Sequence, residues 1–364
     1  MNQLPILIVY YNLGVGGIQR KILDVTKALH AKHPTRLLYI ILRSKTRHEI
    51  FLKSVQKHST VLYYEDRVAR KPFYFPIFLF KFMMARRVGS VLVFSGLLMI
   101  STMLATSFVF WKKIRIVVSE DGPFPLEKET QKRPFSFLKT LLYRFYFSRV
   151  DTILSVNPVL TKHLLRQYNA PKDRTLTIKN WIHPYRPTSK GHKNRYDFIY
   201  VGRFEKEKNL LILLRMIESI KQTHPAVTCL MMGSGTEENA LHTFIRVRHL
   251  TKNIHIIKPS VDVEKHFSQS RIFILPSKAE GQSLATLEAI NIGLPVLCSN
   301  FPGMDTQLKK LCTIYSSEKD LLKKALSLLQ RPSSFAQIAA KKFVHKRFST
   351  KNMLPYLTAL QARQ

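Results

Sequence analysis

The chain has 364 residues, 45% of them hydrophobic, which is enough for about two domains with sizeable cores. Its 58 Lys and Arg face only 23 Asp and Glu, and the resulting formal charge of +35 attracts polyanions: nucleic acid, an anionic membrane leaflet or phosphorylated substrates. Three cysteines provide no disulfide framework, so we expect reduced thiols and a cytoplasmic location.

The N-terminal segment predicts a strand, a loop and a helix. Residues 6–10 are apolar and are typical of a first strand rather than of a signal peptide, and residues 36–42 predict the second strand. Between them, Gly14, Gly16 and Gly17 would let the backbone approach a ligand, although a tight strand-to-helix turn explains any one of them as well. Their spacing is not G-x-G-x-x-G, so we predict no dinucleotide fingerprint.

Residues 67–87 combine basic side chains with many aromatics. Such a stretch is typical of a stacking platform for nucleic acid, of a helix in a lipid interface, or of an ordinary core helix with basic flanks. We favour the lipid interface. The aromatics expected to insert are Phe73, Tyr74, Phe75, Phe78 and Phe80.

The uncharged run 88–111 is long enough to span a bilayer. We nevertheless predict a strand at 91–94, a buried helix at 97–110 and a further strand at 114–118. This alternation is what a doubly wound domain needs, so we do not expect a transmembrane helix.

Two carboxylates, Glu120 and Asp121, follow the strand at 114–118. Open parallel sheets bind ligands at the carboxyl ends of their strands, which makes this pair a candidate acceptor site. A strand and a helix at 150–168 come next, and residues 184–196, rich in proline and lysine, predict a linker.

The second half opens with a strand at 198–201 that ends at Gly202. Arg203 and Lys208 lie in the loop before the next helix, where an arginine fork and a lysine point charge suit a diphosphate. A strand at 227–232 leads into Gly233, the first residue of a G-S-G sequence, which alone is weak evidence.

Residues 271–300 predict a strand, a polar loop, a helix capped by Gly293 and another strand. Glu280 lies in the loop and Glu288 inside the helix, and carboxylates there can accept sugar or ribose hydroxyls. The free N–H groups at the helix N-terminus, at residues 281–284, suit a phosphate. Carboxylates that accept hydrogen bonds from hydroxyls, beside N–H groups that donate to a phosphate, are typical of a nucleotide-sugar site.

This string resembles the E-x7-E region of retaining GT-B glycosyltransferases of family four, within the pattern L-P-S-x-x-E-G-x6-E-A-x-x-x-G-x-P-V. Residues 202–209 resemble the G-R-x-x-x-x-K-N motif of that family. The first half resembles it less, because Asp121 replaces the histidine of S-E-H and Trp181 the glycine of I-x-N-G-x-D. Two further departures, Lys258 for a common glycine and Arg271 for a common aspartate, predict a different base preference.

The resemblance implies a GT-B fold, with two Rossmann-like α/β domains facing a cleft. The acceptor domain would be residues 1–183 with a returning helix at about 346–364, and the donor domain residues 197–345. Donor-site roles are implied for the loop glycines and helix-terminal residues: Gly16, Gly17, Gly202, Gly233, Gly281, Gln282, Ser283 and Leu284.

The implied activity is that of a retaining hexosyltransferase that moves a sugar from a nucleoside diphosphate sugar to a hydroxyl. Arg203 and Lys208 would stabilise the diphosphate, Glu280 would position the sugar, and Glu288 would bind the ribose. Glu120 or Asp121 would orient a glycan or lipid-linked acceptor of envelope polysaccharide synthesis. No cofactor or metal is expected, because the family needs none and the sequence shows no compact ligand cluster.

Two alternatives remain open. A polyanion- or nucleic-acid-binding protein on an inactive GT-B scaffold would fit the charge, and a nucleotide-sugar epimerase would fit the fold. We do not expect nucleic acid as the partner, because an inactive relative need not keep Arg203, Lys208, Glu280 and Glu288 together. The expected location is the inner face of the plasma membrane.

Overall fold

The structure is a computed structural model. It describes residues 4–14, 16–45, 49–65, 74–94, 97–107, 114–122, 136–185, 195–301, 304–330 and 335–361. The chain forms two compact units, the first of residues 1–14, 18–179 and 352–364 and the second of residues 15–17 and 180–351. The sequence predicted the first domain at 1–183 with 346–364, and the second at 197–345.

The first unit is built on a seven-stranded sheet in the order β3-β2-β1-β4-β5-β6-β7, and every neighbouring pair is parallel. Its central strands are continuous apolar runs because helices cover a parallel sheet on both faces. The strands are β1 Ile6–Tyr10, β2 Leu38–Leu42, β3 Thr60–Tyr63, β4 Ser90–Phe94, β5 Arg115–Glu120, β6 Thr152–Ser155 and β7 Thr175–Thr177.

Helices alternate with these strands, as the predicted doubly wound order requires. A C-terminal segment completes the unit: the Ser90 hydroxyl donates to the Leu360 carbonyl (3.1 Å), and the Arg115 guanidinium donates to the Gln361 carbonyl (3.1 Å). The helices are α1 Gly17–Lys32, α2 Leu52–Gln56, α3 Phe75–Ala85, α4 Leu97–Ser107, α5 Ser136–Phe147, α6 Pro158–Tyr168 and, from the C-terminal segment, α14 Leu354–Ala359.

The second unit has a six-stranded parallel sheet in the order β10-β9-β8-β11-β12-β13. Its strands are β8 Tyr196–Val201, β9 Cys229–Met232, β10 Ile254–Ile257, β11 Ser270–Leu275, β12 Val296–Ser299 and β13 Thr313–Tyr315. Its helices are α7 Leu210–Lys221, α8 Glu238–Val247, α9 Val263–Ser268, α10 Leu284–Ile292, α11 Thr306–Lys309, α12 Glu318–Gln330 and α13 Phe335–Arg347. The strand order reverses between β8 and β11, and ligands of open α/β sheets bind at such a point.

Helix α10 forms where the sequence predicted it, because both of its ends are specified. Ser283 caps the start by accepting a hydrogen bond from the Thr286 N–H (3.3 Å). Gly293 ends the helix in the left-handed region, with φ 101°, where a side chain would be strained. This cap fixes the helix N-terminus directly after the loop that carries Glu280.

Part of the basic aromatic stretch predicted to insert into lipid, Phe75–Ala85, forms α3, and Phe75 faces inward. Phe75 is only 2% exposed and lies edge-on to Tyr64, with 4.8 Å between ring centroids. The predicted insertion of Phe75 is therefore wrong, because the helix uses that ring to cover the sheet. Phe73 and the rest of 66–73 lie outside the described residues.

The described parts of the uncharged run, residues 88–94 and 97–107, contain β4 and α4, and α4 has 11 residues. None of the helices in the described ranges is both long and apolar enough to cross a bilayer. The predicted strand and helix are confirmed as far as residue 107, and residues 108–111 lie outside the described residues.

Candidate active site

Lys208 and Glu280 form an ion pair where β8 and β11 end. Their loops follow adjacent parallel strands, so the carboxyl ends of those strands bring the two side chains together. The Lys208 Nζ lies 2.7 Å from Glu280 Oε1, and each side chain is only 12% exposed. The Ser277 hydroxyl donates to the same oxygen at 2.8 Å. Among the described residues nothing donates to Glu280 Oε2, so that oxygen can accept a ligand hydroxyl.

Arg203 points to a different acid. Its guanidinium contacts Glu207 at 3.1 Å, and the Arg203 side chain is 52% exposed. The loop itself is held by Tyr200, whose hydroxyl donates to the Arg203 carbonyl at 2.9 Å. Burial raises the pKa of Tyr200 well above its usual value, so the hydroxyl keeps its proton. Arg203 is thus placed by its backbone and its side chain can turn toward an anion.

Sequence reasoning missed Glu207, Ser277 and Tyr200. Ser277 could have been found, because it is the serine of the quoted L-P-S pattern. Glu207 joins the two loops, since its carbonyl accepts from the Lys278 N–H at 2.9 Å. Tyr200 has the period-2 spacing of any strand residue, which gives no indication of its role.

The glycines at the ends of β8 and β9 pack against each other. A Cβ on Gly233 would lie 2.0 Å from the Gly202 carbonyl oxygen, and one on Gly235 2.3 Å from the Phe204 carbonyl oxygen. A Cβ on Gly202 would meet the Tyr200 hydroxyl at 2.6 Å. Gly202 and Gly233 were predicted as donor-binding residues; in the structure their small size first serves close packing of the two loops.

The start of α10 carries the other predicted donor-binding residues. Gln282 is engaged with Asn180: its side-chain oxygen accepts from the Asn180 N–H (2.6 Å), and its carbonyl accepts from the Asn180 side-chain amide (2.9 Å). Gly281 is buried at this turn, and Glu288 lies half-buried further along the helix. Gln282 therefore holds the segment at residue 180, so its side-chain oxygen is already engaged.

The glycine loop after β1 lies partly within the second unit. Residues 15–17 group with that unit, and a Cβ on Gly17 would come within 3.0 Å of Leu284 Cδ1. Gly16 has φ 153°, a value that favours glycine. Gly16 and Gly17 thus belong to the same unit as Leu284.

The predicted acceptor residues lie at the end of β5 in the first unit. Glu120 is 3% exposed, and no described residue forms a hydrogen bond to its Oε1. Burial, with a contribution from the charge of Asp121, raises the pKa of Glu120 to about 8. Burial therefore favours the protonated form of Glu120, and that form can donate a hydrogen bond.

Asp121 is paired with a lysine that the sequence did not reveal. Lys21, on the buried face of α1, bonds Asp121 Oδ1, and the Ser119 hydroxyl donates to Oδ2 at 2.5 Å. Ser119 also contacts the Tyr356 hydroxyl of α14 at 2.6 Å. Burial lowers the pKa of Lys21, and the charge of Asp121 opposes that shift. Both carboxylate oxygens of Asp121 therefore already accept a hydrogen bond, and a hydroxyl of the acceptor substrate would have to share one of them.

Arg271 does not lie where a base-binding residue would. It is the second residue of β11, at the amino end of the strand, whereas the ligand edge is the carboxyl end. Its guanidinium bonds Asp197 at 2.9 Å and the Leu329 carbonyl at 2.6 Å. The predicted influence of Arg271 on base preference stays a prediction, and any such influence would be indirect. Lys258, exposed directly after β10, stays a prediction.

The described ranges contain no group of three His, Cys, Asp or Glu side chains that could hold a metal ion. The two units hold different candidate groups: Arg203, Lys208, Glu280 and Glu288 in the second, and Glu120 with Asp121 in the first.

Comparison with known proteins explains the arrangement in the second unit. Residues 185–342 match the family described as Glycosyl transferases group 1. This segment is therefore similar to the group 1 glycosyltransferase domains. The match covers the loops of Arg203, Lys208, Glu280 and Glu288, so the predicted family resemblance and enzyme class are confirmed.

Curated relatives of this glycosyltransferase domain share modest identity. An uncharacterized glycosyltransferase of Methanocaldococcus jannaschii is 21% identical over 206 residues, which cover 54% of this chain and 48% of that protein. An O-antigen chain mannosyltransferase of Escherichia coli is 27% identical over 172 residues, covering 42% of this chain and 44% of that protein. The chain spans about half or less of the length of these relatives.

Solved structures share the whole fold. The Anabaena protein HepE, in complex with UDP and glucose, superimposes with a TM-score of 0.76 at 15% identity, covering 98% of this chain and 99% of that one. The predicted GT-B fold is confirmed by this likeness and by the two parallel sheets. At such identity the likeness concerns the fold and leaves the substrates open.

Proposed function

We propose that the protein transfers a sugar from a nucleoside diphosphate sugar to a hydroxyl of a glycan or lipid-linked acceptor. The observation that carries this proposal is the Lys208–Glu280 pair at the edge of β8 and β11, with the N-terminus of α10 directly after it. A cation and the positive end of a helix suit the diphosphate, and a carboxylate oxygen without a described donor suits a sugar hydroxyl.

Each residue of the second unit has a role in this proposal. Lys208 and the fork of Arg203 stabilise the negative charge that develops on the departing diphosphate. Glu280 binds a sugar hydroxyl through Oε2 while Lys208 and Ser277 hold Oε1. Glu288 accepts the ribose hydroxyls. Retention at the anomeric carbon and independence from metal follow from the family resemblance.

The acceptor and the location are further parts of the proposal. Relatives named for O-antigen, capsular polysaccharide and teichuronic acid biosynthesis support an acceptor of the cell envelope. The charge of +35 supports a peripheral position at an anionic inner leaflet. The buried, protonated Glu120 would orient the acceptor hydroxyl by donating a hydrogen bond.

A thermal-shift screen against UDP, GDP, ADP, CDP and dTDP tests the donor site first. The cognate nucleoside diphosphate at 100 times its Kd should add about 2.7 kcal/mol of stability, with or without EDTA. Arg203→Ala should reduce that shift, and Arg215→Ala, an exposed arginine on α7, is the matched control. No shift with any of the five would contradict the proposal.

A donor-consumption assay separates the alternatives. A transferase releases the nucleoside diphosphate only slowly until an acceptor extract is added, while an epimerase converts the sugar without releasing it. A protein that binds RNA tightly and no nucleoside diphosphate would be the polyanion-binding alternative. The anomeric configuration of an isolated product, measured by NMR, tests retention.

A further inference from the structure

Helix α5, at Ser136–Phe147, is apolar on both of its sides. Its inner side packs Tyr143, Tyr146 and Phe147 into the core of the first unit. A surface helix ordinarily turns polar residues outward. The outer side of α5 instead carries Phe137, Leu141 and Phe145, which are 73%, 43% and 46% exposed.

The spacing of these three residues makes them one stripe. They are four residues apart, so they follow one another along the same helix face. Basic side chains lie on the same face: Arg144 and Arg149 are both exposed, and the Arg149 guanidinium is 4.3 Å from the centroid of the Phe145 ring. We call this set the α5 stripe: Phe137, Leu141, Arg144, Phe145 and Arg149.

Within the described part of the chain, no carboxylate neutralises the two arginines of the α5 stripe. The sequence from 136 to 149 contains no acid. Arg144 donates to the Gln167 carbonyl at 3.2 Å, and among the described residues neither arginine has a carboxylate partner. An apolar face edged by unneutralised arginines matches acyl chains beside anionic headgroups.

We propose that the α5 stripe is the surface through which the protein docks on an anionic lipid leaflet. Phe137, Leu141 and Phe145 enter the boundary between headgroups and acyl chains, and Arg144 and Arg149 bind lipid phosphates. This inference deepens the membrane location proposed above and places it on α5 rather than on residues 67–87. Helix α3 fits less well, because Phe75 is in the core and Phe78 is partly buried.

The test is cosedimentation of the full chain with vesicles of phosphatidylglycerol or of phosphatidylcholine. Wild type should pellet with the first and not with the second. The triple variant Phe137→Gln/Leu141→Gln/Phe145→Gln should bind phosphatidylglycerol about 100-fold more weakly, since each partly inserted apolar side chain contributes roughly a factor of five. Its residual binding should be fully reversed by salt.

A charge variant and two controls locate the surface. Arg144→Gln/Arg149→Gln should weaken binding about 25-fold, roughly fivefold for each charge near the leaflet. Val247→Gln/Ile338→Gln removes two exposed apolar residues of the second unit (62% and 54% exposed) and should leave binding unchanged. Tyr74→Gln/Ile77→Gln on α3 should change it less than threefold.

Each outcome decides between surfaces or partners. If the triple variant binds as wild type does and has an unchanged thermal transition, the α5 proposal is overturned. If the α3 variant loses more binding than the α5 variants, α3 is the membrane-docking surface instead. Wild type that ignores phosphatidylglycerol vesicles overturns it too, as does tight binding to RNA alone. The UDP thermal shift is measured in parallel, so a failure of docking is distinguished from a failure of the transferase proposal.

Discussion

The ion pair between Lys208 and Glu280 makes a prediction that separates stability from catalysis. At 2.7 Å and an effective dielectric of about 20, two unit charges attract by roughly 6 kcal/mol before desolvation is subtracted. Because both side chains are only 12% exposed, loss of one partner leaves a poorly solvated charge. We expect Lys208→Met to lower the free energy of unfolding by about 3 kcal/mol.

Removing both charges should restore most of that stability. In Lys208→Met/Glu280→Gln, the glutamine can still accept the hydrogen bond that the Ser277 hydroxyl now donates to Oε1 at 2.8 Å. We expect the unfolding free energy of the double variant to lie within about 1 kcal/mol of the wild-type value, since replacing a buried ion pair is often close to neutral. Turnover should remain roughly 10²–10³-fold below that of wild type, because the variant lacks the cation proposed to stabilise the diphosphate.

Urea unfolding followed by tryptophan fluorescence measures the free energy of unfolding. The chain has two tryptophans, and Trp181 is buried in the second unit, so a Trp111→Phe background makes Trp181 the reporter of that unit. Consumption of the donor sugar measures turnover. If the double variant loses as much unfolding free energy as Lys208→Met and Glu280→Gln lose together, the two residues are not coupled. Recovery of turnover in the double variant would show that Lys208 only neutralises Glu280.

Three further predictions concern single positions. Glu288→Gln should weaken UDP binding about tenfold in calorimetry with little change in kcat, because ribose contacts are similar in ground and transition states; equal UDP affinity would remove its ribose role. Gly233→Ala should destabilise the protein by about 1–3 kcal/mol, since its Cβ would lie 2.0 Å from the Gly202 oxygen, whereas Gly122→Ala, with nothing within 4 Å, should be neutral in the same urea titration. Glu120→Gln should gain stability relative to wild type as pH rises. Below about pH 4.5 the wild-type carboxyl is protonated in both the folded and the unfolded state. Between about pH 4.5 and 8 only the unfolded state ionises, so wild type loses about 1.4 kcal/mol of unfolding free energy per pH unit. A difference between the two proteins that does not change with pH would show that Glu120 is not buried as a neutral acid.

The second unit could be predicted from sequence because its functional features are local. The helix α10 is specified by Ser283 and Gly293 at its ends, and Glu280 is three residues from Ser277. What the sequence could not supply is pairing across the sheet. Lys208 and Glu280 are 72 residues apart, and their contact depends on β8 lying beside β11. Lys208 and Glu280 belong to two separate motifs, and neither motif shows that the two side chains neutralise each other.

Residues in the first unit were harder to interpret for the same reason. Lys21 has the sequence context of any lysine on an amphipathic helix, and most of the 58 basic residues must be solvated. Only the fold shows that its ammonium meets Asp121, 100 residues away. Residues 67–87 illustrate the converse error, because aromatic composition cannot tell that Phe75 faces inward.

The Lys21–Asp121 pair gives a physical reason for the departure from S-E-H. A buried lysine needs an anion beside it, since an unpaired buried ammonium is costly. Asp121 supplies that anion, which a neutral histidine at the same place would not do. The pair also keeps a negative charge next to Glu120, which contributes to the raised pKa of Glu120. The replacement therefore leaves Glu120, protonated and buried, as the group at the end of β5 with hydrogen-bonding capacity to spare, and the acceptor specificity of this chain should depend on Glu120 more than on Asp121.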